Sequence, residues 1–183
     1  MTADSVVASE GALDRVPAET PGERIADTVV ARLAERHLTI AVAESLTAGL
    51  VTAELASVAG ASEVLLGSVT AYSTDIKHSV LDVSADLLAL HGPVHPDVAM
   101  QMAANVRTVL ARRGVPADVG ISTTGVAGPG PHDGHPAGTV FVGIAVGGDV
   151  RAVALQLSGD RGAVRSGVVS ELLTSLASRL AEL

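Results

Sequence analysis

Residues 39–50 read TIAVAESLTAGL, and they give the strongest indication of the fold class. Its first part is an apolar run compatible with a buried β-strand, and that run ends at Glu44 and Ser45. A short segment containing Gly49 then leads into the apolar periodicity of a helix. In a parallel α/β sheet, such a junction between a strand and a helix is where the ligand crevice opens and where backbone amides favour negative charge. We therefore treat Ser45 as a candidate nucleophile.

Further strand and helix patterns extend from this stretch in both directions. Strands are predicted at residues 38–44, 65–72, 118–124, 139–146 and 149–157. Helices are predicted at about residues 21–37, 47–57, 84–90 and 95–113, in a single turn after Ser73, and from about residue 161 to the end. Gly147 and Gly148, between the last two strands, are a hairpin signal, and a hairpin places one antiparallel strand in a parallel set. We therefore expect a three-layer α/β/α fold with a mixed, mainly parallel sheet of about five strands.

The first residues differ from the rest of the chain because they have no hydrophobic periodicity. Residues 1–19 are predicted to be a disordered extension, and residues 20–183 a single domain. The domain is expected to begin with a capping box, in which Thr20 is the N-cap, Pro21 is the first helical residue and Glu23 returns to the cap.

Charge and composition argue against several classes of function. The net charge of −8, without a basic stripe or an aromatic stacking platform, argues against nucleic-acid binding. The absence of cysteine excludes a disulfide, a thiolate nucleophile and a cysteine-ligated metal. Residues 1–20 lack the basic and apolar regions of a signal peptide, and no apolar stretch has transmembrane length. We expect a cytoplasmic protein without nucleic-acid or membrane partners.

Ser45 has a structural alternative that its local sequence leaves open. A serine at this kind of junction is commonly a helix cap. The segment does not match the esterase motif G-x-S-x-G, because Ala43 and Thr47 stand where that motif has glycines. Lys77 could serve as the base of a Ser–Lys dyad if burial lowers its pKa by about three units. The alternative is a solvated lysine on a short helix.

Other residues in the loops after the predicted parallel strands could support such a site. Tyr72 could pass a proton, or it could pack in the core. The glycine loop, residues 125–138, follows Thr124 and permits close backbone approach to a phosphate or sugar, although it lacks the ending of a P-loop. Arg161 and Arg165 could clamp a phosphate, or they could lie in solvent.

Two histidines of the glycine loop, His132 and His135, raise the question of a metal site. They lack a fixed third ligand, so no metal is predicted. His95 is a third notable histidine, because it stands at a predicted N-cap, where histidine is an unusual choice.

Five sequence blocks together resemble the C-terminal domain of the CinA family, which also occurs alone as a nicotinamide-nucleotide amidase. The blocks are residues 43–49 (AESLTAG), 71–73 (AYS) with Lys77, 124–129 (TGVAGP), 138–141 (GTVF) and 159–161 (GDR). The resemblance covers about residues 22–182.

This resemblance implies an activity and a set of site residues. The activity is hydrolysis of the carboxamide of nicotinamide mononucleotide to nicotinate mononucleotide and ammonia, with no cofactor, by a three-layer domain that forms homo-oligomers. Ser45 would be the nucleophile, Lys77 its base and Tyr72 a supporting catalytic group. The substrate-binding residues would be Thr47, Gly49, Thr124, Gly125, Gly128 and Arg161.

Two further points follow from the same resemblance. A non-catalytic nucleotide-binding or partner-docking module with this fold is the alternative function. Full-length relatives have an additional N-terminal nucleotide-processing domain, and because the resemblance does not extend to it, its pyrophosphatase activity is not expected here.

The chain departs from the family pattern at three places. Leu46 and Ala48 stand where relatives often have Cys and Gly. Pro93 and His95 stand where they often have Ala and Ser, and His135 where a Lys is frequent. The proposed serine and lysine are retained, so these departures concern the fit of the substrate.

Overall fold

A computed structural model describes residues 24–183 of the chain. Its elements in chain order are α1 (Ile25–Glu35), β1 (Ile40–Glu44), α2 (Leu50–Ala56), α3 (Ala61–Val64), β2 (Leu65–Thr70), α4 (Thr74–Ser79), α5 (Ala85–His91), α6 (Pro96–Val109), β3 (Val119–Gly125), β4 (Thr139–Val146), β5 (Asp149–Gln156) and α7 (Arg161–Ala181). Among the helices of this part of the chain, none is long and apolar enough to cross a membrane.

The five strands form one mixed sheet in the order β2-β1-β3-β4-β5. β1 lies in the centre of the parallel part and pairs with β2 on one side and with β3 on the other. β4 is antiparallel to both of its neighbours, so it alone runs against the other strands. This arrangement confirms the predicted fold class. It also brings the carboxyl ends of β1, β2 and β3 to the same edge of the sheet.

Helices cover both faces of the sheet, and the alternation of side chains along β1 shows how. Ile40 and Val42 belong to a hydrophobic core shared with α1, α2 and α7. Ala41 and Ala43 belong to a second core, shared with α6 and the region around α4 and α5. Because successive strand residues point to opposite faces, a strand that is buried along its whole length must be apolar at every position. This explains the continuous apolar run before Glu44.

Several predicted boundaries differ from the observed ones. Helix α2 begins at Leu50 rather than near Thr47, because Ala48 (φ 50°) and Gly49 (φ 101°) have left-handed conformations that end a turn and do not start a helix. The short helix α3 was not predicted. α6 ends at Val109, well before Arg113, and the predicted capping box at residues 20–23 lies outside the described residues.

The predicted start of α6 can be compared directly with the structure. His95 is the N-cap of α6, and its Nδ1 accepts a hydrogen bond from the Asp97 amide at 3.2 Å. The imidazole therefore does what a serine or asparagine does at other caps. Helix α1 begins at Ile25, with Arg24 in an extended conformation as its N-cap.

Candidate active site

The loops that follow β1, β2 and β3 line a single cleft of about 400 Å³ at the edge of the sheet. This is the size range of pockets that hold small molecules. Of the residues predicted to form a site, the cleft is lined by Ser45, Tyr72, Lys77, Thr124, Gly125, Gly128 and Arg161. The structure therefore brings together residues that lie up to 116 positions apart in the sequence.

Ser45 and Lys77 are in direct contact at the bottom of this cleft. Lys77 Nζ lies 3.0 Å from Ser45 Oγ and donates a second hydrogen bond to the Ala71 carbonyl at 2.7 Å. The lysine is only 1% exposed, and its burial lowers the pKa of the ammonium from 10.5 to about 8. The structural alternatives for the two residues are wrong. Lys77 is not solvated, and the N-cap of α2 is Gly49 rather than Ser45.

The position of Lys77 follows from the way β2 ends. The Ala71 amide donates to the Glu44 carbonyl at 2.8 Å, which extends the parallel pairing of β1 and β2 by one residue. The short helix α4 then turns back toward β1 and carries Lys77 one turn further along the chain. An otherwise exposed helix thus places a single long side chain inside the protein.

The backbone of Ser45 is held by the neighbouring strand β3. Its amide donates to the Thr123 carbonyl at 3.1 Å and to Thr123 Oγ1 at 3.2 Å. Thr123 Oγ1 also lies 2.8 Å from Thr47 Oγ1. All three residues are buried, so Thr123 holds both Ser45 and Thr47 in place. The sequence placed Thr123 only within the predicted strand 118–124, and no local pattern separates it from Thr124.

Glu44 holds the same segment from its other side. Its buried carboxylate accepts hydrogen bonds from the amides of Gly49 (2.8 Å), Val51 (3.1 Å) and Thr52 (2.9 Å), and from the Thr52 hydroxyl. These amides are in the first turn of α2, where backbone donors lack partners within the helix. Glu44 therefore caps a helix that begins six residues later in the chain. We call residues 45–49, between Glu44 and α2, the nucleophile loop.

Three predicted binding residues have positions that differ from the expectation. Thr47 is fully buried, its hydroxyl is bound to Thr123, and neither it nor Gly49 is among the residues that line the cleft. The cause is the turn at Ala48, which directs the chain away from the cleft after Leu46. Arg165 also does not line the cleft, because its guanidinium is bound to the nucleophile loop instead.

Tyr72 and Arg161 lie at the mouth of the cleft and contact each other. Arg161 Nη2 donates to the Tyr72 hydroxyl at 2.7 Å, and Arg161 Nη1 donates to the Gly128 carbonyl at 3.0 Å. Tyr72 is 57% exposed, so the alternative of a core tyrosine is wrong. Its hydroxyl is oriented by Arg161, and the pair joins the loop after β2 to the glycine loop.

The glycine loop forms one wall of the cleft and presents backbone groups to it. Gly125 is required at the end of β3, because a Cβ there would lie 2.6 Å from the Thr139 carbonyl oxygen. Thr124 Oγ1 donates to the Pro93 carbonyl at 2.6 Å, which fixes the base of this wall. Within residues 24–183, the amides of Ala127, Gly128 and Gly130 have no hydrogen-bond acceptor.

The histidines of the glycine loop form a tight hairpin. His132 and His135 pair through both backbone amides at 3.0 and 2.9 Å, and Asp133 and Gly134 between them have positive φ. This is the geometry of a two-residue type I′ turn, for which Asp-Gly is a preferred sequence. In the part of the chain that the structure describes, no three His, Asp or Glu side chains are grouped as a metal site requires.

The charge of the cleft is opposite in sign to that of the chain. The whole sequence has a net charge of −8, yet no acidic residue is among the described residues that line the cleft. The ionisable side chains there are Lys77, Arg161, His132 and Tyr72. Together with the free amides of the glycine loop, these groups favour an anionic ligand.

Comparisons with known sequences connect this site to a family. A model of the CinA C-terminal domain matches residues 22–180. A competence-damage inducible protein of Shouchella clausii is 52% identical over 135 residues, which are 73% of this chain and 31% of that protein. A protein of the same name from Geobacillus kaustophilus is 48% identical with the same coverage. The chain thus spans about a third of the length of these curated relatives.

Solved structures agree with the sequence comparison. A CinA superfamily protein from Klebsiella pneumoniae is 31% identical with a TM-score of 0.81, over 87% of this chain and 97% of that one. A superfamily member from Enterobacter cloacae is 28% identical with a TM-score of 0.80, over 93% of this chain and 99% of that one.

Proposed function

This chain belongs to the CinA C-terminal domain family, and we propose that it is an amidase that hydrolyses the carboxamide of nicotinamide mononucleotide to nicotinate mononucleotide and ammonia. The observation that carries this proposal is the 3.0 Å contact between Lys77 Nζ and Ser45 Oγ. A buried lysine with a pKa of about 8 is neutral in about one molecule in four at pH 7.5. A free lysine is almost entirely protonated at this pH.

In the proposed mechanism, neutral Lys77 accepts the proton of Ser45 as the serine oxygen attacks the carboxamide carbon. The carbonyl oxygen becomes an oxyanion, which a backbone amide beside Ser45 stabilises. Collapse of this intermediate breaks the C–N bond, and the proton on Lys77 passes to the leaving nitrogen, which departs as ammonia. Water then attacks the acyl-enzyme with Lys77 again as base, and nicotinate mononucleotide is released.

A nucleotide fits the remainder of the cleft. Its phosphate requires positive charge and hydrogen-bond donors, which Arg161 and the free amides of the glycine loop supply. Acidic groups that would repel a phosphate are lacking among the described lining residues. We assign the phosphate and ribose to the glycine loop, and the carboxamide to the end of the cleft that contains Ser45.

The test is ammonia release from nicotinamide mononucleotide by the wild-type protein and by Ser45→Ala and Lys77→Ala. Both variants should lose activity by at least about a thousandfold while they still bind the nucleotide. Ser122→Ala is a matched control. Ser122, on β3, is buried like Ser45, but its hydroxyl donates to the Ala99 carbonyl, and Ser122 does not line the cleft.

The rival function, a nucleotide-binding module without catalysis, gives a different result. It predicts that nicotinamide mononucleotide raises the thermal midpoint of unfolding without ammonia release, equally in the wild type and in Ser45→Ala. Full activity in either the Ser45 or the Lys77 variant would exclude the dyad.

A further inference from the structure

Arg165 connects helix α7 to the backbone of the nucleophile loop. Its Nε donates to the Leu46 carbonyl at 2.9 Å, and its Nη2 donates to the Thr47 carbonyl at 2.7 Å. These are the first two carbonyls after Ser45, and Arg165 lies 118 residues beyond Thr47 in the chain. We propose that Arg165 is a positioning residue, which holds the Leu46 amide where it binds the oxyanion formed during attack by Ser45. This inference rests on the proposed amidase function.

The amides of the nucleophile loop differ in their availability. The Ser45 amide is bound to Thr123, and the Ala48 amide donates to the Ser45 carbonyl at 3.1 Å. Thr47 is fully buried, so a substrate does not reach its amide. Leu46 lines the cleft, and among residues 24–183 its amide has no acceptor. Leu46 is therefore the one residue of this loop whose free amide borders the cleft.

The direction of the Leu46 amide is set by two neighbouring peptide planes. In a trans peptide, the carbonyl of one residue and the amide of the next point in opposite directions. The Ser45 carbonyl points into the turn toward Ala48, so the Leu46 amide points out of it. Arg165 fixes the following plane through the Leu46 carbonyl. With both planes fixed, the Leu46 amide cannot rotate when charge develops on the substrate.

An arginine suits this task better than a lysine. The planar guanidinium presents two donors in a fixed geometry, which matches two carbonyls of consecutive residues. In the described part of the chain, no carboxylate lies within ion-pair distance of Arg165. Its charge is therefore directed at the backbone of the nucleophile loop. It polarises the peptides there and adds positive potential behind the oxyanion.

Arg165 is one of three side chains that hold the nucleophile loop. The buried side chains of Glu44 and Thr123 also hold its two ends through hydrogen bonds. A matched arginine with a structural role is Arg179, further along the same helix. Arg179 pairs with Asp149 at 3.0 Å and does not line the cleft. Its removal measures the effect of deleting a half-buried arginine from α7 without touching the site.

The first measurement separates kcat from KM. Arg165→Ala should lower kcat for nicotinamide mononucleotide by about a hundredfold, the loss typical of one oxyanion donor, with KM changed less than about twofold. Arg165→Lys, which keeps the charge and most of the stem, should lose about tenfold. Arg179→Ala should have the same kcat as the wild type. Guanidinium ion added to Arg165→Ala should restore part of kcat, and it should not do so for Ser45→Ala.

The second measurement uses a fluorophosphonate probe, so that the inference does not depend on the substrate. Ser45 Oγ attacks phosphorus, an O–P bond forms and the P–F bond breaks, fluoride leaves, and the serine proton passes to Lys77. The phosphoryl oxygen gains negative charge and needs the same amide. Mass spectrometry of labelled Ser45 should give a rate at least about tenfold lower in Arg165→Ala than in Arg179→Ala.

The combined outcomes distinguish the two proposals. If the wild type is labelled at Ser45 but releases no ammonia, the proposed substrate is wrong, and the labelling rates still decide the role of Arg165. If the wild type shows neither reaction, both proposals are overturned. Arg165→Ala with wild-type rates in both assays, or with a raised KM alone, would show that Arg165 does not position the oxyanion site.

Discussion

The nucleophile loop and the glycine loop border the same cleft but are held in opposite ways. The nucleophile loop is fixed by side chains from three other places in the fold: Glu44 at the end of β1, Thr123 on β3 and Arg165 on α7. The side chains of Glu44 and Thr123 are fully buried. These side chains contact the backbone of residues 45–52 and the hydroxyls of Thr47 and Thr52, so the loop has one conformation that several distant parts of the chain determine.

The glycine loop takes its shape mainly from hydrogen bonds between backbone groups. The Val126 amide donates to the Thr139 carbonyl at 2.9 Å, and the Gly138 amide returns to the Val126 carbonyl at 2.7 Å. The hairpin from His132 to His135 closes the tip. Val126 and Ala127 anchor the start of the loop in the protein interior, whereas its contact with Arg161 lies at the surface, and several of its amides remain free toward a ligand.

The two kinds of support agree with two different roles, reaction at the nucleophile loop and binding at the glycine loop. Atoms that react must be held in advance, since movement during the reaction costs rate. Atoms that bind a substrate must keep their hydrogen-bonding groups free. Changes to the supports of the nucleophile loop should therefore reduce stability and kcat, whereas changes in the glycine loop should raise KM and leave stability unchanged.

The largest expected effect is on stability, from Glu44→Gln. Glutamine keeps one acceptor oxygen but replaces the other with a donor, which would face the amide donors of α2 inside the protein. We expect the free energy of unfolding to fall by about 4 kcal/mol, because two charge-assisted hydrogen bonds are lost and their donors stay buried. Urea unfolding at neutral pH measures this change.

A control on the same helix shows whether the cause is the burial of Glu44. Glu54, on α2, makes a surface ion pair with Arg24 at 3.7 Å. Glu54→Gln should cost less than about 1 kcal/mol. Equal losses in the two variants would contradict the idea that the nucleophile loop is the more rigidly held of the two loops.

The second effect is the cost in stability of burying Lys77. The pKa of Lys77 is about 8 in the folded protein and 10.5 in its ordinary state. Between these values the unfolded chain keeps a proton that the folded protein has released, so stability rises with pH. The rise is complete at about pH 10.5 and amounts to about 3 kcal/mol. Below about pH 8 the full cost remains.

Lys77→Met isolates this contribution because methionine fills the space without a charge. The difference in the free energy of unfolding between Lys77→Met and the wild type should shrink by about 3 kcal/mol as pH increases from 7 to 10.5. Urea unfolding over this pH range measures the difference. Parallel curves for the two proteins would mean that Lys77 is not buried with a lowered pKa.

The third effect is the pH dependence of the proposed reaction. Only neutral Lys77 accepts the serine proton, so kcat/KM should rise with pH and level off above the lysine pKa of about 8. Between pH 6 and pH 8 the neutral fraction increases about 50-fold. Initial rates of ammonia release across this range test the prediction. A profile that is flat from pH 6 to 8 would exclude Lys77 as the base.

The fourth effect compares two adjacent threonines that belong to the two sides of the cleft. Thr123→Val removes the hydroxyl that holds Ser45 and Thr47, and it should lower kcat about tenfold with an unchanged KM. Thr124→Val alters the wall that leads into the glycine loop, and it should raise KM instead. Steady-state kinetics of both variants tests this. A raised KM in Thr123→Val and a lowered kcat in Thr124→Val would contradict the different roles of the two loops.

The sequence predicted those features that leave a periodic or local signal. The apolar run before Glu44 and the Gly147-Gly148 turn were sufficient to predict an α/β fold with a mixed sheet. Five matched blocks were sufficient to choose Ser45 and Lys77 as candidate catalytic residues. The start of α2 was predicted too early, because the left-handed turn at Ala48 has no signal in a residue that favours helix.

The supports of the nucleophile loop could not be predicted for a different reason. They are hydrogen bonds between residues far apart in the chain, and no spacing encodes them. Arg161 and Arg165 illustrate this, since they are one turn apart on α7 and look equivalent as phosphate ligands. In the structure, Arg161 lies at the mouth of the cleft and Arg165 binds the backbone of the nucleophile loop. The difference arises from the residues that each side chain meets, which only the fold determines.

The smallest expected effect concerns the hairpin of the glycine loop. His132 lines the cleft, whereas His135, directly opposite in the same hairpin, does not. Because His132 is an exposed side chain, a contact between it and a bound phosphate is worth less than about 1 kcal/mol. His132→Ala should therefore raise KM about threefold with kcat and the thermal midpoint unchanged. His135→Ala should leave all three at wild-type values, since it keeps the turn but removes a side chain outside the cleft. Equal KM values in the two variants would place the phosphate away from the hairpin, and a fall in kcat would show that the glycine loop also takes part in the reaction step.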